Sequence, residues 1–312
     1  MPGKGILELG KDLAAVRIFY GNEKLNMEKT VMALGNFDGL HIAHRRIVEK
    51  CAAYGRENGL SSGALLFLNH TGNVTGGGVK LLTVFDEKKA LLEAMGIDFI
   101  YAVPFDEAMM RKSPADFICF LREQLHTQAV SVGYDYRFGF RAAGTVKTLQ
   151  DSGVGVLVTA PVRVGRETVS STLIRTLVAA GRVKEAAELL GRPYSMAGPV
   201  HNGLQNGRKM GLPTANLAYA PDKLLPGDGV YKAVTYVDNI GHKSAVNVGK
   251  NPTFDAERRT VESFILDFDR DIYAENIRIE FLKKIRDEIK FESPEQLQAQ
   301  IRRDIEKAGK DD

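Results

Sequence analysis

The sequence contains no tryptophan and only two cysteines, Cys51 and Cys119, among its 312 residues. Two cysteines supply neither a disulfide framework nor a cysteine-rich zinc site. Both lie within helical apolar patterns, so we expect them to pack in the core as free thiols. No apolar run reaches the roughly 18 residues that a membrane-spanning helix needs, and the first residues lack the apolar segment of a secretory signal. We therefore expect a cytoplasmic protein with no membrane partner.

Long runs of one charge are also lacking. The formal net charge is +3, and basic and acidic residues are interspersed. Proteins that bind nucleic acid usually carry a clustered basic surface, so we expect small phosphorylated ligands and no nucleic acid. The length suits two domains of ordinary size, and the sequence carries no indication of the oligomeric state.

The first part of the chain alternates apolar strand candidates with helical patterns, which is typical of a parallel sheet with crossover helices. The strand candidates are 30–34, 64–68, 99–103, 129–133 and 154–158. Ser113 and Pro114 begin one of the helices, and Gly191 ends the last one. We place the domain boundary there, with an α/β domain over 1–190 and a second domain over 191–312.

In the second part the apolar pattern changes from helical to alternating. Residues 231–237 alternate as a strand, 238–241 form a hairpin turn, and further strands follow at 260–268 and 276–285. Several antiparallel strands close together predict a small β-barrel. Ser293 then caps a terminal amphipathic helix.

A turn between the first strand and the first helix is the strongest candidate for a site. It consists of Gly35, Asn36, Phe37, Asp38 and Gly39, and it leads into a helix whose first turn carries His41 and His44. The histidines share a helix face beside the backbone N–H groups and the positive dipole end that attract anions. This pattern favours a phosphate site, although an ordinary strand–helix turn is equally consistent with it. A zinc site lacks further ligands at suitable spacing.

Two more segments of the first domain carry polar groups suited to binding. Ser170 and Ser171 begin a helix, with Arg175 one turn later, and this arrangement can hold phosphates or be an ordinary helix cap. Asp135, Tyr136 and Phe138 follow a strand, at the sheet edge where α/β folds bind ligands. The alternative for that segment is a structural turn.

The second domain contains a glycine-spaced loop with Gly207, Arg208 and Gly211, which ends at Thr214 and Asn216. Glycine allows backbone N–H groups to approach phosphates closely, and the Thr and Asn oxygens suit Mg²⁺. A flexible surface loop is an equally good interpretation.

Glu262 lies on a strand whose alternation places it on the same face as Phe264, Leu266 and Phe268. We interpret this face as the inward one, where a carboxylate rarely lies without a partner or a task. Glu262 is therefore a candidate general base. The alternative is a rim residue or an ion pair with Arg286.

Together these motifs resemble a known family. The Gly-Asn-Phe-Asp-Gly-x-His-x-x-His turn (35–44), the Asp-Tyr-Arg-Phe-Gly segment (135–139) and the Val-Ser-Ser-Thr-x-x-Arg helix (169–175) resemble the FMN adenylyltransferase module of prokaryotic bifunctional FAD synthetases. The second half resembles their riboflavin kinase module through 207–216, 247–254, 261–268 and 285–291.

The resemblance implies a nucleotidyltransferase domain with a Rossmann-like parallel sheet, followed by a riboflavin kinase barrel. It implies that riboflavin and ATP give FMN, and that FMN and a second ATP give FAD and pyrophosphate, with Mg²⁺ in both steps. The residues it places around ATP phosphates are Gly35–Gly39, His41, His44, Ser170, Ser171, Arg175, Gly207, Arg208 and Gly211. Asp135, Tyr136, Phe138 and Arg286 are assigned to the flavin, Thr214 and Asn216 to the metal, and Glu262 to deprotonation of the ribityl 5′-hydroxyl.

Three positions depart from the family pattern. Ala43 replaces the usual glycine of the histidine motif, which crowds the approach to phosphate and predicts a reduced adenylyltransferase activity. The loop that includes Asn69 and His70 is less acidic than in relatives, and Asn251 replaces an arginine. One alternative is a riboflavin kinase with weakened or lost adenylyltransferase that partly serves as a flavin-binding protein. Another is a relative of aminoacyl-tRNA synthetases, for which a lysine-rich second signature is missing.

Overall fold

The computed structural model describes residues 16–21, 23–69, 78–201, 213–250 and 259–310. Its internal contacts divide the chain into two compact units after Ser171. The predicted boundary after residue 190 differs from this division in the placement of residues 172–190, which fall with the second unit. They comprise a helix at 183–190 and all but the first residue, Ser171, of a helix at 171–179. The boundary after residue 190 stays a prediction.

The first unit is built on a parallel sheet, as the alternating pattern predicts. Its strands are β1 (Arg17–Tyr20), β2 (Thr30–Leu34), β3 (Ser61–Phe67), β4 (Phe99–Val103), β5 (Thr127–Gly133), β6 (Arg137–Phe138), β7 (Gly144–Thr145), β8 (Gly155–Thr159), β9 (Arg163–Val164) and β10 (Glu167–Thr168). Six of them form the sheet in the order β1-β4-β3-β2-β5-β8, and β6–β7 and β9–β10 are short ribbons. The edge strand β1 has no counterpart among the predicted strands, because its four residues alternate too briefly and are partly exposed.

Helices cover both faces of this sheet. They are α1 (Ile42–Asn58), α2 (Phe85–Ala94), α3 (Glu107–Arg111), α4 (Pro114–Glu123) and α5 (Val146–Asp151). Strand β2 shows the two-sided core, since Val31 packs in one apolar cluster with α1 and α2, and Met32 packs in the other with α4. A parallel sheet buried on both faces reads as a continuous apolar run, which is why β2 and β4 begin and end at the predicted residues.

The order of strands places the candidate site. From β2 the chain proceeds to β3 on one side, whereas β5 pairs with β2 on the other side. The carboxyl ends of β2 and β5 therefore lie side by side where the strand order reverses, and open α/β sheets bind ligands at such a point. The turn 35–39 follows β2, and the segment 134–138 follows β5.

The two cysteines have different environments, and the prediction that both pack in the core is wrong for one of them. Cys51 is fully buried in α1, and burial raises the pKa of its thiol to about 12. Cys119 is exposed on α4. The buried positions of α4 include Phe117 and Leu121, and Cys119 lies two residues after Phe117, on the opposite face of the helix.

The second unit is a closed antiparallel barrel with flanking helices. Its elements are α6 (Ser171–Ala179), α7 (Val183–Leu190), β11 (Tyr194–His201), β12 (Ala215–Leu217), β13 (Gly229–Val237), β14 (Ile240–Lys250), β15 (Arg259–Ile265), β16 (Asn276–Arg286) and α8 (Pro294–Gly309). The barrel order is β11-β12-β15-β14-β13-β16. The predicted small barrel and its terminal helix are confirmed.

Local signals define several junctions of the barrel. Asp238 and Asn239 have φ angles of 50° and 63° and join β13 to β14, as expected for the two central residues of a tight hairpin turn. Gly191 ends α7 with a φ of 71°. Inside the barrel, Thr235 Oγ1 lies 2.9 Å from Ser244 Oγ and 2.8 Å from Ser263 Oγ, so the buried hydroxyl groups satisfy one another.

Candidate active sites

The turn after β2 has an unusual backbone that its own side chains maintain. Phe37, Gly39 and Leu40 have φ angles of 46°, 84° and 39°. The first and last of these are not glycine, so their left-handed conformation costs free energy. Both side chains are fully buried. Their packing therefore fixes the turn in this conformation, with Gly35 so close to the Phe37 ring that an added Cβ would lie 3.3 Å from it.

Hydrogen bonds fix the same turn from outside. The Asp38 carboxylate accepts from the N–H groups of Leu82 and Thr83 at 2.9 and 3.1 Å. Gly39 N donates to Thr83 Oγ1 at 2.9 Å, and Ser171 Oγ donates to the Asp38 carbonyl at 2.9 Å. The carboxylate of Asp38 thus helps to fix the conformation of the turn.

The two histidines meet at the start of α1. His41 is the N-cap rather than a residue of the first turn, and its Nδ1 accepts from His44 N at 3.3 Å. The rings of His41 and His44 stack at 3.6 Å between centroids with 13° between their planes, and Phe37 contacts the His44 ring edge-on at 5.4 Å. The predicted pairing of the two side chains is present, but it comes from capping geometry rather than from a shared helix face.

The electrostatics of the pair favour uncharged rings. The pKa of His44 lies well below its usual value. Burial is the main cause, and the charges of the nearby His41 and Lys88 lower the pKa further. His44 is therefore neutral at physiological pH and can act only as a hydrogen-bonding group. Its Nδ1 is buried and has no hydrogen-bond partner among the described residues.

Lys88 is a member of this site that the sequence analysis missed. Its side chain is buried, with 6% exposed, and Nζ donates to the Asn36 carbonyl of the turn at 3.1 Å. The run Asp86-Glu87-Lys88-Lys89 has the appearance of a solvated helix surface. One local signal distinguishes Lys88 from Lys89, since Lys88 lies three and four residues before Leu91 and Leu92 and so shares the buried face of the helix. The contact with the distant turn could not be deduced from this spacing.

The helix α6 begins at Ser171, as predicted. Ser171 is tied to the turn by its bond to Asp38, Ser170 precedes it and is half-buried, and Arg175 lies one turn further along the helix, also half-buried.

The predicted flavin-binding residues of the first unit differ in their exposure. Asp135 is exposed after the end of β5, whereas Tyr136 is half-buried and stacks on Phe138 at 5.8 Å between ring centroids. Phe138 is 6% exposed and packs against Phe117 at 5.3 Å. Burial also raises the pKa of Tyr136, so its hydroxyl stays protonated. Asp135 and the edge of Tyr136 are the groups that a ligand at this sheet edge could reach.

In the barrel, strand register aligns four polar residues. Asn216 of β12 lies opposite His201 of β11 on one side and opposite Glu262 of β15 on the other. Glu262 in turn lies opposite Asn247 of β14. Residues directly opposite in antiparallel strands project on the same face. The row His201–Asn216–Glu262–Asn247 therefore combines two predicted residues with two that were not proposed as site residues.

The face on which Glu262 lies differs from the prediction. The buried side chains of β15 are Val261, Ser263 and Ile265, so Glu262 and Phe264 project from the other, half-buried face. The strand ends at Ile265, so Leu266 and Phe268, which were predicted to share the face of Glu262, lie beyond it. The prediction of an inward-facing carboxylate is wrong because alternation defines two faces without indicating which one is interior.

Glu262 is nevertheless in an unusual environment. Burial raises the pKa of its carboxyl group, against the opposing effects of a hydrogen bond from Thr260 and the charge of His201. The Thr260 hydroxyl donates to Glu262 Oε1 at 3.3 Å. The alternative partner, Arg286, instead forms a two-pronged pair with Asp304 of α8. A carboxyl group with a raised pKa is a stronger base when ionised.

A cavity of about 290 Å³ adjoins two residues of this row, because His201 and Asn216 line it. Its wall includes His201, Thr214, Asn216, Asp269, Arg270 and Tyr273. Strand β15 contributes Ser263 and Ile265 to the lining, from the face opposite Glu262. The predicted metal ligands Thr214 and Asn216 thus lie together on one cavity wall, with Glu262 as the cross-strand neighbour of Asn216. The loop residues Gly207, Arg208 and Gly211, as well as His70 and Asn251, lie outside the described residues.

Comparison with known proteins assigns each half of the chain. Residues 23–173 match the FAD synthetase family model, and residues 190–311 match the riboflavin kinase family model. A protein of Listeria monocytogenes called bifunctional riboflavin kinase/FMN adenylyltransferase is 34% identical over 88% of this chain and 90% of its own. The chain belongs to this bifunctional family. The homologues of Bacillus subtilis and Escherichia coli are 32% and 31% identical, over 91% and 93% of this chain and 93% and 95% of their own.

A solved structure from Streptococcus pneumoniae, described as a macrolide-efflux protein, also resembles this family member. Its TM-score is 0.86 at 28% identity, covering 95% of this chain and all of the other. In the described parts of the present chain, no helix is both long and apolar enough to cross a membrane.

The predicted family, fold class and pair of activities are thereby confirmed. The enzyme carries a riboflavin kinase domain and an FMN adenylyltransferase domain. The matches give no support to the alternative in which the adenylyltransferase is lost.

Proposed function

We propose that the barrel phosphorylates riboflavin at the row His201–Asn216–Glu262–Asn247, and that the first unit adenylylates the resulting FMN at the turn 35–44. The observation that carries the proposal is the barrel register, which puts Glu262 directly opposite Asn216, a residue that lines a cavity together with Thr214. The register thus brings the proposed base next to one of the two proposed oxygen ligands, although Glu262 and Asn216 are far apart in the sequence.

In the kinase reaction, Glu262 takes the proton of the ribityl 5′-hydroxyl. The hydroxyl oxygen forms a bond to the γ-phosphorus of ATP, the bond between that phosphorus and the β–γ bridging oxygen breaks, and ADP leaves. The burial that raises the pKa of Glu262 makes its carboxylate a better proton acceptor. Glu262 must be ionised to act, so the rate falls as the pH falls through this raised pKa.

The residues of the barrel cavity fit Mg²⁺. The Thr214 hydroxyl and the Asn216 amide carbonyl are hard oxygen donors on one wall, with Asp269 nearby on the lining. Mg²⁺ is commonly held by one or two protein oxygens together with substrate phosphates, and when bound it neutralises developing phosphate charge. Thr214 and Asn216 would hold it here.

In the adenylyl transfer, a phosphate oxygen of FMN attacks the α-phosphorus of ATP and pyrophosphate leaves, so the protein supplies no nucleophile. The contribution of the site is to position the phosphates and to stabilise their charge. His41 and the neutral His44 donate hydrogen bonds at the start of α1, where the helix dipole adds to the effect. Arg175 contributes a permanent positive charge, and Asp135 and Tyr136 contact the flavin.

The partners in this proposal are riboflavin, FMN and ATP alone, and the enzyme works in the cytoplasm. Both reactions require Mg²⁺.

The test incubates purified full-length protein with riboflavin, ATP and Mg²⁺ and resolves the flavins by chromatography. FMN and then FAD are expected. Riboflavin that remains unchanged would refute the kinase assignment, and FMN that accumulates without FAD would refute the adenylyltransferase assignment.

Variants separate the two sites. Glu262→Gln should lower the rate of FMN formation by a factor of about 100 or more, while added FMN is still converted to FAD. His44→Gln should show the opposite pattern. Glu188→Gln, at an exposed position of α7, serves as the matched control and should retain both activities. Loss of both activities in a folded Glu262→Gln protein would contradict the assignment of separate sites.

A further inference from the structure

Lys88 occupies an environment that lysine normally avoids. Only 6% of the residue is exposed, and lysine is almost never buried to this extent without a partner or a task. Its position near the start of α2 adds to the cost, because the positive end of the helix dipole disfavours a cation there. Burial and the helix dipole both disfavour the charged form of Lys88, which suggests that this side chain has a role that offsets these costs.

The local structure directs the Lys88 side chain toward the phosphate turn. Side chains of a helix lean toward its N-terminus, and α2 begins at Phe85 with Val84 as its N-cap. Glu87 stabilises this start by accepting from Val84 N at 3.1 Å. The side chain of Lys88 extends back past this first turn, and Nζ donates to the carbonyl of Asn36 at 3.1 Å.

The segment that carries Lys88 is also the one that fixes the turn. Leu82 and Thr83 donate their N–H groups to the carboxylate of Asp38, and the Thr83 hydroxyl accepts from Gly39. Three of the five residues of the turn are thus hydrogen-bonded to the segment 82–88, with Asn36 and Asp38 as acceptors and Gly39 as a donor. A change at Lys88 therefore acts directly on the backbone that is proposed to face ATP.

The histidine pair itself supplies no fixed charge, and Arg175 is the one fixed charge so far assigned to the site. Burial and the charges of His41 and Lys88 keep the pKa of His44 low, so this imidazole contributes hydrogen bonds without a net charge. The carboxylate of Asp38 faces the amides of Leu82 and Thr83. A triphosphate nevertheless carries several negative charges, and a compact ammonium group is well suited to balance them.

We propose that Lys88 is a positioning residue for adenylyl transfer, which holds the carbonyl of Asn36 and supplies a positive charge beside the histidine pair. The proposal rests on the proposed role of His41 and His44 in binding ATP. Lys88 acts through the turn and through the electrostatic potential at the histidines.

Three variants on α2 test this role in the full-length protein. Lys88→Met removes the charge and the hydrogen bond while retaining length, Lys88→Gln keeps a donor without the charge, and Lys88→Arg keeps the charge. Lys89→Met is the matched control, since Lys89 is the next residue of the same helix and is less buried.

Conversion of FMN to FAD is measured with ATP varied. Lys88→Met and Lys88→Gln should raise KM for ATP at least about tenfold, the effect of losing one interaction with a charged group. Lys88→Arg should recover most of this loss, and Lys89→Met should match the wild type. Phosphorylation of riboflavin, measured in the same preparations, should be unchanged in all four variants.

A second readout follows the imidazole of His44 by NMR as the pH is varied. Loss of the ammonium charge should move the midpoint of the His44 titration to higher pH in Lys88→Gln and Lys88→Met, while Lys88→Arg retains a low midpoint. A purely structural residue would not produce this division between charged and uncharged variants.

Unchanged KM for ATP together with an unchanged His44 midpoint in folded Lys88→Gln protein would overturn the inference. If instead the histidines do not bind ATP, the result is different, because His44→Gln would then still form FAD. If Lys88→Met does not fold, Lys88→Gln and Lys88→Arg still differ by charge and decide the question.

Discussion

Replacement of Asp304 by asparagine should release the terminal helix from the barrel. Asp304 lies on α8 with a side chain only 4% exposed, opposite the 15% exposed side chain of Arg286 on β16. Arg286 Nε lies 3.1 and 2.9 Å from the two carboxylate oxygens, and a second guanidinium nitrogen lies 2.8 Å from one of them. Gln300 donates a further bond to the carboxylate at 2.9 Å. Each carboxylate oxygen therefore has two charged or polar partners.

The size of the effect follows from the burial of the pair. Removing one member of a buried ion pair leaves the other without compensation and costs about 3–5 kcal/mol. Asparagine retains one hydrogen-bond acceptor, so we expect the lower end, about 3 kcal/mol. At about 1.4 kcal/mol for each factor of ten, amide hydrogens of α8 should exchange more than about 100-fold faster than in the wild type.

Hydrogen exchange followed by mass spectrometry measures this for peptides that cover 294–309. The matched control is Asp287→Asn, because Asp287 also pairs with a basic residue of β16, Lys284, but its side chain is 88% exposed. An exposed pair contributes no more than about 1 kcal/mol, so this variant should leave exchange in α8 nearly unchanged. Equal exchange in the two variants would refute the claim that burial makes Arg286–Asp304 an anchor.

The same variant tests the predicted role of Arg286 in flavin binding. Asp304 fixes the orientation of the guanidinium group, so its loss should raise KM for riboflavin if Arg286 contacts the flavin. An unchanged KM for riboflavin, with faster exchange in α8, would assign Arg286 to stability alone.

Two further predictions concern the individual sites. Ala43→Gly restores the residue usual in the family at the second position of α1, and it should raise kcat/KM for FAD formation several-fold without altering riboflavin phosphorylation; an unchanged or lower value would show that the methyl group does not crowd the phosphates. His201→Gln removes a positive charge that lowers the pKa of Glu262, so the acid limb of the kinase pH profile should move to higher pH, and an unmoved limb would exclude this coupling.

Much of the fold could be predicted because its signals are local. Strands buried on both faces appear as continuous apolar runs, and helix ends appear as capping residues. Ser113 illustrates this, since its hydroxyl accepts from Asp116 N at 3.1 Å and its own N–H donates to the Asp116 carboxylate, as its position before Pro114 indicates. The histidine turn could be found for the same reason, since the residues that form it, 35–44, are contiguous in the sequence.

The remaining features depend on contacts between distant segments. Helical spacing places Lys88 on the same face as the buried Leu91 and Leu92, but its hydrogen bond to the turn after β2 depends on the approach of a distant segment. The face of Glu262 could not be deduced from polarity, because the barrel interior contains Ser263, whose hydroxyl is satisfied by Thr235. Because three buried hydroxyl groups, those of Thr235, Ser244 and Ser263, satisfy one another, the buried face of this strand need not be the more apolar one.

Burial has opposite chemical effects at the two sites, and both suit their reactions. It lowers the pKa of His44 and raises the pKa of Glu262, so that each group favours its uncharged form. At the adenylyltransferase site an uncharged imidazole is sufficient, because no proton has to leave FMN phosphate and the ring has only to donate hydrogen bonds. At the kinase site a proton must leave a hydroxyl group. The raised pKa of Glu262 reduces the difference in pKa between this hydroxyl group and the carboxylate that accepts its proton. The same physical cause therefore gives a hydrogen-bond donor that is uncharged at neutral pH in one domain and a stronger base in the other. As the pH falls, the kinase should therefore lose activity before the adenylyltransferase does.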